Sequence, residues 1–437
     1  MSSARGPKPT GHPKQTGSRR VATSALTTFR ALRVRNFRLF FAGQLISQVG
    51  TWLTTVALTL LVLHRTKSGV AVGGLVACQF GPVLLLGAWG GLVADRSDKR
   101  RLLITTQILE MAQSFALAAL AFSSHTPLLA FYATALAGGF MLAFDNPARR
   151  SFVAEMVPPE LMQNAVTLNT ALMTSARIFG PALAGLLVVT VGYEWCFGID
   201  GFSYLAVIGA LWAMRSGDLF QPVRTERARG QIRAGLRYIR SVDELWIPLV
   251  MTAVVGTLTF NFTVVLPLFI ERTLHGNDIS YTLVYSVLSI GSFCGALTAA
   301  HRTTVDTRHI IVAAVAFGAA MLAFAAVPNL TFSFPIALIV GGTSIAFLSA
   351  STAVVQVRAQ PAMRGRVLAI QAIVLIGSTP IGGPVLGLIC DGLGARSGLI
   401  VGGVAALGAA GWGRYASTKS ARVLAKGTDA PLPVEVA

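Results

Sequence analysis

The clearest indication of the fold is GLVADRSDKRRLL, which runs from Gly91 to Leu103. Six of the seven residues from Asp95 to Arg101 are charged, although charged residues make up only 12% of the 437-residue chain. Long apolar runs stand on both sides of this cluster. A short charged loop between two apolar runs is typical of a membrane protein whose helices cross the bilayer.

The composition agrees with a protein embedded in lipid. Hydrophobic residues make up 53% of the chain, the mean hydropathy is +0.64, and there are 44 glycines. Uncharged segments of about 20 residues, each long enough to cross a bilayer as a helix, recur about twelve times. The fourth span is predicted at residues 127–146. The predicted fold class is therefore an all-α membrane protein with twelve transmembrane helices.

The formal net charge of +18 can indicate a nucleic-acid-binding protein, but the distribution of the charges argues against that class. With twelve spans and both tails on one side, that side holds 31 of the 36 Lys and Arg residues. Cytoplasmic loops of membrane proteins carry such an excess of positive charge. The sequence predicts a multi-pass plasma membrane protein with both termini in the cytoplasm and no nucleic-acid partner.

Changes in composition divide the chain into five segments. Residues 1–35 are predicted to form a basic disordered tail that touches lipid headgroups, and a second tail covers 414–437. Two six-helix halves are predicted at 36–214 and 247–413. The segment between them, 215–246, carries apolar and arginine stripes at helical spacing, which predicts an amphipathic helix on the cytoplasmic surface.

The two halves are related by an internal repeat at an offset of 203 residues. VPPELMQNAVTLNTALMTSARIFGPALAG, from Val157, aligns without gaps on QPAMRGRVLAIQAIVLIGSTPIGGPVLGL, from Gln360. Both segments contain a Gly-Pro pair, and small residues four apart let helices approach closely in lipid. We expect these residues at a seam between the halves: Gly87, Gly91, Gly180, Pro181, Gly291, Gly295, Gly383 and Pro384.

Twelve spans in two halves, with GLVADRSDKRR between spans two and three, resemble the major facilitator superfamily. The family's loop motif reads G-x-L-A-D-R-x-G-R-R, and five residues match it: Gly91, Ala94, Asp95, Arg96 and Arg100. IFGPALAG, from Ile178, is similar to the Gly-Pro motif of the family's proton-coupled exporters. EWCFGIDGFSYLAVIGAL, from Glu194, resembles the branch that contains enterobactin, macrolide and multidrug exporters. The resemblance covers residues 30–413 and implies two pseudo-symmetric six-helix halves.

In this family the acid that ends span two lies beside the N-terminus of span eleven. The resemblance implies that Asp95 bridges the halves in the outward-open state. Lys99 and Arg100 need counter-charges, and Asp145 is expected to supply one. These residues are predicted to form a cytoplasmic latch: Asp95, Arg96, Lys99, Arg100 and Asp145. The alternative is a basic loop that only sets the orientation of the chain.

Three ionisable residues lie away from the cytoplasmic ends of the predicted spans, where a charge is costly to bury: Glu110, Arg177 and Asp200. Glu110 and Arg177 are predicted to pair, either as a structural tie or as a proton-responsive switch. Asp200, about five residues inside the outer face, is a further proton-entry candidate. The span-four segment LLAFYATALAGGFMLAF lacks the arginine of the family's motif, which leaves the proton-coupling residues open.

Polar residues on one helical face of span one predict a cavity wall. By resemblance, spans one, four, seven and ten enclose the substrate path. The candidate lining residues are Gln44, Gln48, Thr51, Thr55, Tyr132, Phe140, Thr257, Phe260, Asn261, Thr343 and Phe347. Such a pocket suits amphipathic organic molecules. The alternative is that the threonine hydroxyls bond their own helix backbones.

The sequence predicts a secondary active transporter, namely a proton-coupled exporter of drugs or lipophilic, siderophore-like metabolites that works by alternating access. An uptake symporter and a non-transporting membrane scaffold or sensor are the alternatives. The residues show no catalytic constellation and no metal-ligand spacing, so neither an enzyme nor a cofactor is predicted. The expected partners are a small organic substrate, protons and membrane lipids, and the protein is expected to be a monomer.

Overall fold

The computed structural model describes residues 29–123, 125–220, 231–300 and 306–428, and within them the chain is helical with no β-strand. The N-terminal group consists of α1 (Arg35–Thr66), α2 (Gly69–Arg96), α3 (Lys99–Phe122), α4 (Leu128–Met156), α5 (Met162–Val191) and α6 (Tyr193–Ala213). A short linker helix follows, α7 (Gln231–Ser241). The C-terminal group consists of α8 (Asp243–Leu258), α9 (Phe262–Arg272), α10 (Asp278–Ala300), α11 (Thr307–Ala325), α12 (Leu330–Arg358), α13 (Pro361–Leu393) and α14 (Ala395–Thr428).

Eleven helical segments of the described residues are long and apolar enough to cross a bilayer, with α8 and α9 counted together as one. The twelfth spanning helix is α14, which packs along α8 and α11. Its glycines and its charged residues, Arg396 and Arg414 among them, lower its mean hydropathy. The prediction of an all-α membrane protein built from twelve transmembrane helices is confirmed.

The repeated segments form equivalent helices, α5 and α13. Each helix contains the internal Gly-Pro pair, and each ends at a glycine with positive φ, 92° at Gly192 and 88° at Gly394. Glycine adopts a positive φ without the steric penalty that a side chain brings. These glycines therefore end both helices and turn the chain into α6 and α14 at corresponding places in the two groups.

The linker helix α7 is amphipathic, and protein covers its apolar face. Leu236 and Ile239 belong to one apolar cluster with Leu245 of α8 and Ile370 of α13. Gly235 also lies against Ile370, so the helix sits close to the start of α13. The predicted helix is present at residues 231–241, and its apolar stripe is buried against the C-terminal group rather than against lipid.

The bundle has two faces, which we name by their residues. The basic face carries the start of α1 at Arg35 and the loop between α2 and α3 at Asp98. The far face carries the turn between α1 and α2 at Lys67 and the connection between α9 and α10 at residues 273–277. Successive spanning helices alternate in direction. Each seam between the two groups therefore runs from one face of the bundle to the other.

The two groups approach most closely at the far-face end of α2. Gly69 and Gly73 of α2 lie against Gly387 and Gly383 of α13, where the two backbones touch because no side chain separates them. Pro384 of α13 lies in the same contact. Across the bundle, α5 meets α10 at Gly185, where an added side chain would fall on Thr282.

Toward the basic face the two groups separate. Gly87 and Gly91 fall on the same side of α2 as Gly73, because their spacing is close to whole helical turns. A methyl group built on Gly91 would meet no other atom within 4 Å, and one on Gly87 would meet only Val83 of its own helix. The space between the two groups, which we call the central cavity, is therefore closed at the far face and open at the basic face.

Several glycines that we expected at the seam lie elsewhere in this conformation. Gly87 and Gly91 face the open end, and Gly180 with the adjacent Pro181 packs in the N-terminal group, where Gly180 contacts Trp52. Two others meet α12 inside the C-terminal group: Gly291 and Gly295. A pair of small residues lets a helix approach any neighbour, so the pattern alone does not identify the partner.

Replacing Gly185 by Leu should weaken the far-face seam, because the new side chain overlaps Thr282 across the two groups. Overpacking of this kind costs about 1–3 kcal/mol. We expect a lower melting temperature of the purified protein and a loss of transport. Gly198→Leu is the control, because no atom lies within 4 Å of the Cβ position at Gly198. Equal melting temperatures and equal transport for the two variants would contradict the seam.

Candidate functional site

A buried charge cluster lies between α1, α3 and α4, with Arg149 at its centre. Arg149 is only 7% exposed. Its Nε donates to Asp145 at 2.8 Å, and its Nη2 donates to the same carboxylate. Its Nη1 donates to the side-chain oxygen of Gln44 on α1. All three guanidinium nitrogens are therefore hydrogen-bonded, as a charge inside a membrane bundle requires.

α3 completes the cluster with a stripe of polar side chains. Thr106 Oγ donates to Asp145 at 2.9 Å, and Gln107 Nε2 donates to Asp145 at 3.1 Å. The same Gln107 nitrogen donates to Glu110 at 2.8 Å. Glu110 lies at the middle of α3 and is buried. One arginine thus faces two carboxyl groups that share an amide donor.

Asp200 lies deeper in the bundle than its position in the sequence suggested. It is buried in α6 and accepts hydrogen bonds from Thr54 at 2.6 Å and Ser114 at 2.8 Å. A third donor, Ser203, lies at 3.4 Å. These hydroxyl groups supply the hydrogen bonds that the buried carboxylate needs. Since Ser114 stands one helical turn from Glu110, polar groups continue along α3 from one acid to the other.

Glu110 and Arg177 do not pair, so that prediction is wrong. Glu110 belongs to the cluster around Arg149, whereas the Arg177 guanidinium carbon lies 5.9 Å from the ring centroid of Trp52. The error arose because span four was predicted to end at residue 146. α4 continues through Pro147 to Met156 and carries Arg149 into the interior. The spacing of four between Asp145 and Arg149 is the signal that could have revealed this pair.

The charged loop between α2 and α3 is fastened within the N-terminal group. Lys99 pairs with Glu155 at 2.5 Å. Arg100 donates to the carbonyl oxygens of Leu211 at 2.7 Å and Trp212 at 3.1 Å, at the C-terminus of α6. A cation is stabilised there because the last carbonyl groups of a helix lack backbone partners. These two residues therefore fix α3 to α4 and α6.

The predicted pairing of Lys99 and Arg100 with Asp145 is wrong, because Arg149 already occupies that carboxylate. Asp98 caps α3, accepting from the backbone nitrogen of Arg101 at 3.1 Å, which is its structural role in the loop. Asp95 is half-buried at the end of α2, and the Arg96 that follows is exposed. The bridge from Asp95 to the start of α13 stays a prediction for the other conformation.

A second polar network closes the far face and crosses between the two groups. Lys67 Nζ pairs with Glu271 at 2.8 Å, and Arg272 donates to the carbonyl oxygen of Lys67. His64 Nε2 lies 3.2 Å from Asp278, and its Nδ1 lies 2.6 Å from the hydroxyl of Tyr193. Each of these ion pairs joins α1 or the turn after it to α9 or α10.

Asp391, in the last turn of α13, is the centre of this network. Its Oδ1 accepts from the backbone nitrogen of Gly69 at 2.8 Å, and its Oδ2 accepts from that of Val70 at 3.0 Å. Ser68 Oγ and Arg272 Nη1 each donate to it at 2.8 Å. A carboxylate of one group thus caps the N-terminus of α2 in the other group, where unpaired amides favour an anion.

The candidate cavity residues divide between the cavity wall and packing positions. Gln48, half-buried, lies 3.5 Å from Gln44 and extends the polar stripe of α1 toward the cavity. Each of four threonine hydroxyls donates to the carbonyl oxygen four residues earlier in its own helix: Thr51, Thr55, Thr257 and Thr343. For these threonines the bonds of the alternative interpretation are present.

The remaining candidates pack between helices. Tyr132 Oη donates to the carbonyl oxygen of Ala71 at 2.9 Å, between α4 and α2. Phe140 lies about 180° around α4 from Arg149 and lines an apolar groove between α2 and α4. The others lie in the C-terminal group, where aromatic rings or the break between α8 and α9 hold them: Phe260, Asn261 and Phe347. Their placement does not favour direct contact with a substrate.

Comparison with known proteins agrees with this architecture. A family profile described as "Transmembrane secretion effector" matches residues 26–423. A staphyloferrin A transporter of Staphylococcus aureus is 21% identical over 60% of this chain and 66% of its own length. Macrolide efflux protein A of Streptococcus pyogenes is 21% identical over 84% of this chain and 92% of its own length.

Among solved structures, a bacterial homologue of the human lysosomal transporter Spinster, in an inward-facing and unoccupied conformation, has the same fold. Its TM-score is 0.66 with 15% sequence identity, and the match covers 88% of this chain and 96% of that one. At this identity the likeness shows the fold alone. It is nevertheless independent support for the twelve-helix arrangement.

Arg149→Met should destabilise the protein by about 3–5 kcal/mol, because it leaves the buried Asp145 carboxylate without its cation. We expect a lower melting temperature and a lower folded yield, and partial recovery when Asp145→Asn is added. Arg101→Met is the control, since Arg101 pairs with Asp98 at the exposed surface and should cost at most about 1 kcal/mol. A wild-type melting temperature for Arg149→Met would exclude the cluster as a stabilising element.

Asp391→Asn should loosen the far-face contact, because the amide keeps the shape but loses the charge that faces α2 and Arg272. The readout uses the variant Thr282→Cys, in a protein whose native cysteines are replaced by alanine. The rate at which a membrane-impermeant maleimide labels this cysteine is measured. We expect labelling to accelerate severalfold. Asp98→Asn is the control, because Asp98 caps a helix within one group. Unchanged labelling in Asp391→Asn would refute the gate.

Proposed function

Because the chain belongs to the transmembrane secretion effector family of the major facilitator superfamily, we propose that it is a proton-coupled exporter of lipophilic organic compounds. It is a multi-pass membrane transporter with a small-molecule substrate. The names of two relatives, a macrolide efflux protein and a siderophore transporter, support export and an organic substrate. Alternating access between the two helix groups is the mechanism that we assign to it.

The observation that carries proton coupling is the buried cluster around Arg149. One guanidinium faces the carboxyl groups of Asp145 and Glu110, so the cluster can gain or lose one proton and still retain an ion pair. A change of charge inside the membrane is expensive unless the surroundings rearrange. Gln44 connects Arg149 to Gln48 at the cavity. A proton on the cluster is therefore positioned to alter the wall that a substrate contacts.

The excess of Lys and Arg assigns the basic face to the cytoplasm, so the conformation described here is open to the inside. We place the protein in the plasma membrane with both termini cytoplasmic. It acts as a monomer in contact with membrane lipids, with the basic tails near the headgroups.

Asp95 and Asp391 provide equivalent contacts at opposite faces. α2 and α13 are antiparallel neighbours, so the end of each helix lies at the same face of the bundle as the start of the other. Asp391 caps α2 at the far face in the inward-open state, and Asp95 caps α13 at the basic face in the outward-open state. The two residue groups, 36–214 and 247–413, rock between these contacts, and α7 follows the second group.

The test uses the purified protein in liposomes with an imposed pH gradient and a radiolabelled macrolide. Glu110→Gln should reduce gradient-driven accumulation at least about tenfold and leave counterflow exchange within about twofold, because only the proton step needs the carboxyl group. Glu160→Gln, on the exposed loop before α5, is the control. If Glu110→Gln accumulates substrate at the wild-type rate under the gradient, Glu110 does not carry the coupling proton and its role is structural. Net movement in the direction of an uptake symporter would contradict export.

A further inference from the structure

Arg177 is the one charged residue of α5 near the middle of the membrane, and its side chain is exposed. It is the sixteenth of the 30 residues of α5, which places it near the centre of the helix. A guanidinium in contact with hydrocarbon at this depth is costly. An exposed Arg177 therefore has to face water, and the central cavity supplies water at this level.

The helical position of Arg177 points in the same direction. An α-helix turns about 100° per residue, so Leu186 lies on the side of α5 opposite to Arg177. Leu186 and its neighbour Phe179 are exposed apolar side chains, which marks that side as the lipid surface. Ala184 and Val188 share the direction of Arg177 and are buried. Arg177 thus faces the cavity, directly below the point where the two groups close.

An aromatic wall adjoins the guanidinium. The Trp52 ring lies 5.9 Å from the Arg177 guanidinium carbon, and Gly180 lets Trp52 approach α5 closely. On its other side, Trp52 contacts Tyr285 of α10, with 5.7 Å between the ring centroids. The aromatic wall beside Arg177 is therefore built from side chains of both groups, with Tyr285 supporting the Trp52 ring.

Within the described part of the chain, the acids of the N-terminal interior are committed elsewhere. Asp145 binds Arg149, Glu110 accepts from Gln107, and Asp200 accepts from hydroxyl groups. Thr54, which binds Asp200, lies about 200° around α1 from Trp52 and so on its opposite side. The contact that the structure gives Arg177 is the stack on Trp52, and the rest of its side chain is exposed.

We propose that Arg177, Trp52 and Tyr285 form a subsite for the carboxylate of an aromatic organic anion. The guanidinium binds the carboxylate through paired N–H donors, and the ring of the ligand lies on the aromatic wall. The subsite rests on the proposed transport function and deepens it, because it adds aromatic organic anions to the class of compounds that the protein binds. The subsite lies between the two groups, below their closed end. A ligand bound there is therefore exposed to the other side of the membrane when the groups rock.

Three naphthalene compounds with nearly the same aromatic body test the sign of the charge: 2-naphthoate, naphthalene-2-carboxamide and 2-naphthylmethylammonium. Their binding is measured by isothermal titration calorimetry on the full chain in lipid nanodiscs, with empty nanodiscs as the blank. The wild-type protein should bind the carboxylate about tenfold or more tightly than the amide, which matches a charge-assisted hydrogen bond. The ammonium compound should bind least.

Arg177→Met and Arg177→Gln should abolish the preference for the carboxylate, and Arg177→Lys should retain part of it. Arg240→Met is the matched control, because Arg240 stacks on Trp246 in the same way but on α7, outside the cavity. A preference that survives in both neutral variants, no preference in the wild type, or no binding of any of the three compounds would overturn the proposal. No pH gradient is present, so the result does not depend on proton coupling.

Discussion

The cost of an unpaired charge in hydrocarbon governs how this bundle is built. Each ionisable side chain at membrane depth is either enclosed by partners or turned to the cavity. Arg149 is enclosed, and each of its guanidinium nitrogens donates a hydrogen bond to Asp145 or Gln44. Arg177, on the next helix of the chain, is exposed on the inner side of α5 and stacks on Trp52. The first arrangement holds the N-terminal group together, and the second leaves a charge available to a ligand.

The composition of the seam explains how the two groups can separate at one face. The seam between α2 and α13 consists of backbone contacts at Gly69, Gly73, Gly383 and Gly387, which need no interlocking side chains. Smooth helix surfaces can part and meet again at low cost, whereas interdigitated side chains resist such movement. The specificity of the closed state comes from polar groups at the end of the seam. Asp391 contributes most of this specificity, because it binds backbone amides that are exposed only at a helix start.

The sequence predicted the fold well because hydropathy and loop charge report directly on lipid exposure. It predicted the partners of polar residues poorly, and Arg149 shows why. Asp145 and Arg149 sit beside Pro147 and a second arginine, so the segment has the composition of a loop, yet α4 continues through it. Helix ends in a membrane protein depend on what the neighbouring helices can solvate, and Gln44, Thr106 and Gln107 do this for the end of α4. The threonines of α1 and α12 failed as cavity markers for a related reason, since their own backbones satisfy them.

An acid at the end of its own helix is unfavourable, because the carbonyl end of a helix repels negative charge. Both α2 and α13 nevertheless carry an aspartate in the last turn, Asp95 and Asp391. The start of another helix removes this penalty when it comes close, and in an antiparallel pair that helix is the partner across the seam. For Asp391 this partner is present, as four donors around its carboxylate show. With the bridge that we propose for Asp95, the two acids at opposite ends favour closure at either face over a state open at both, which is the property that alternating access requires.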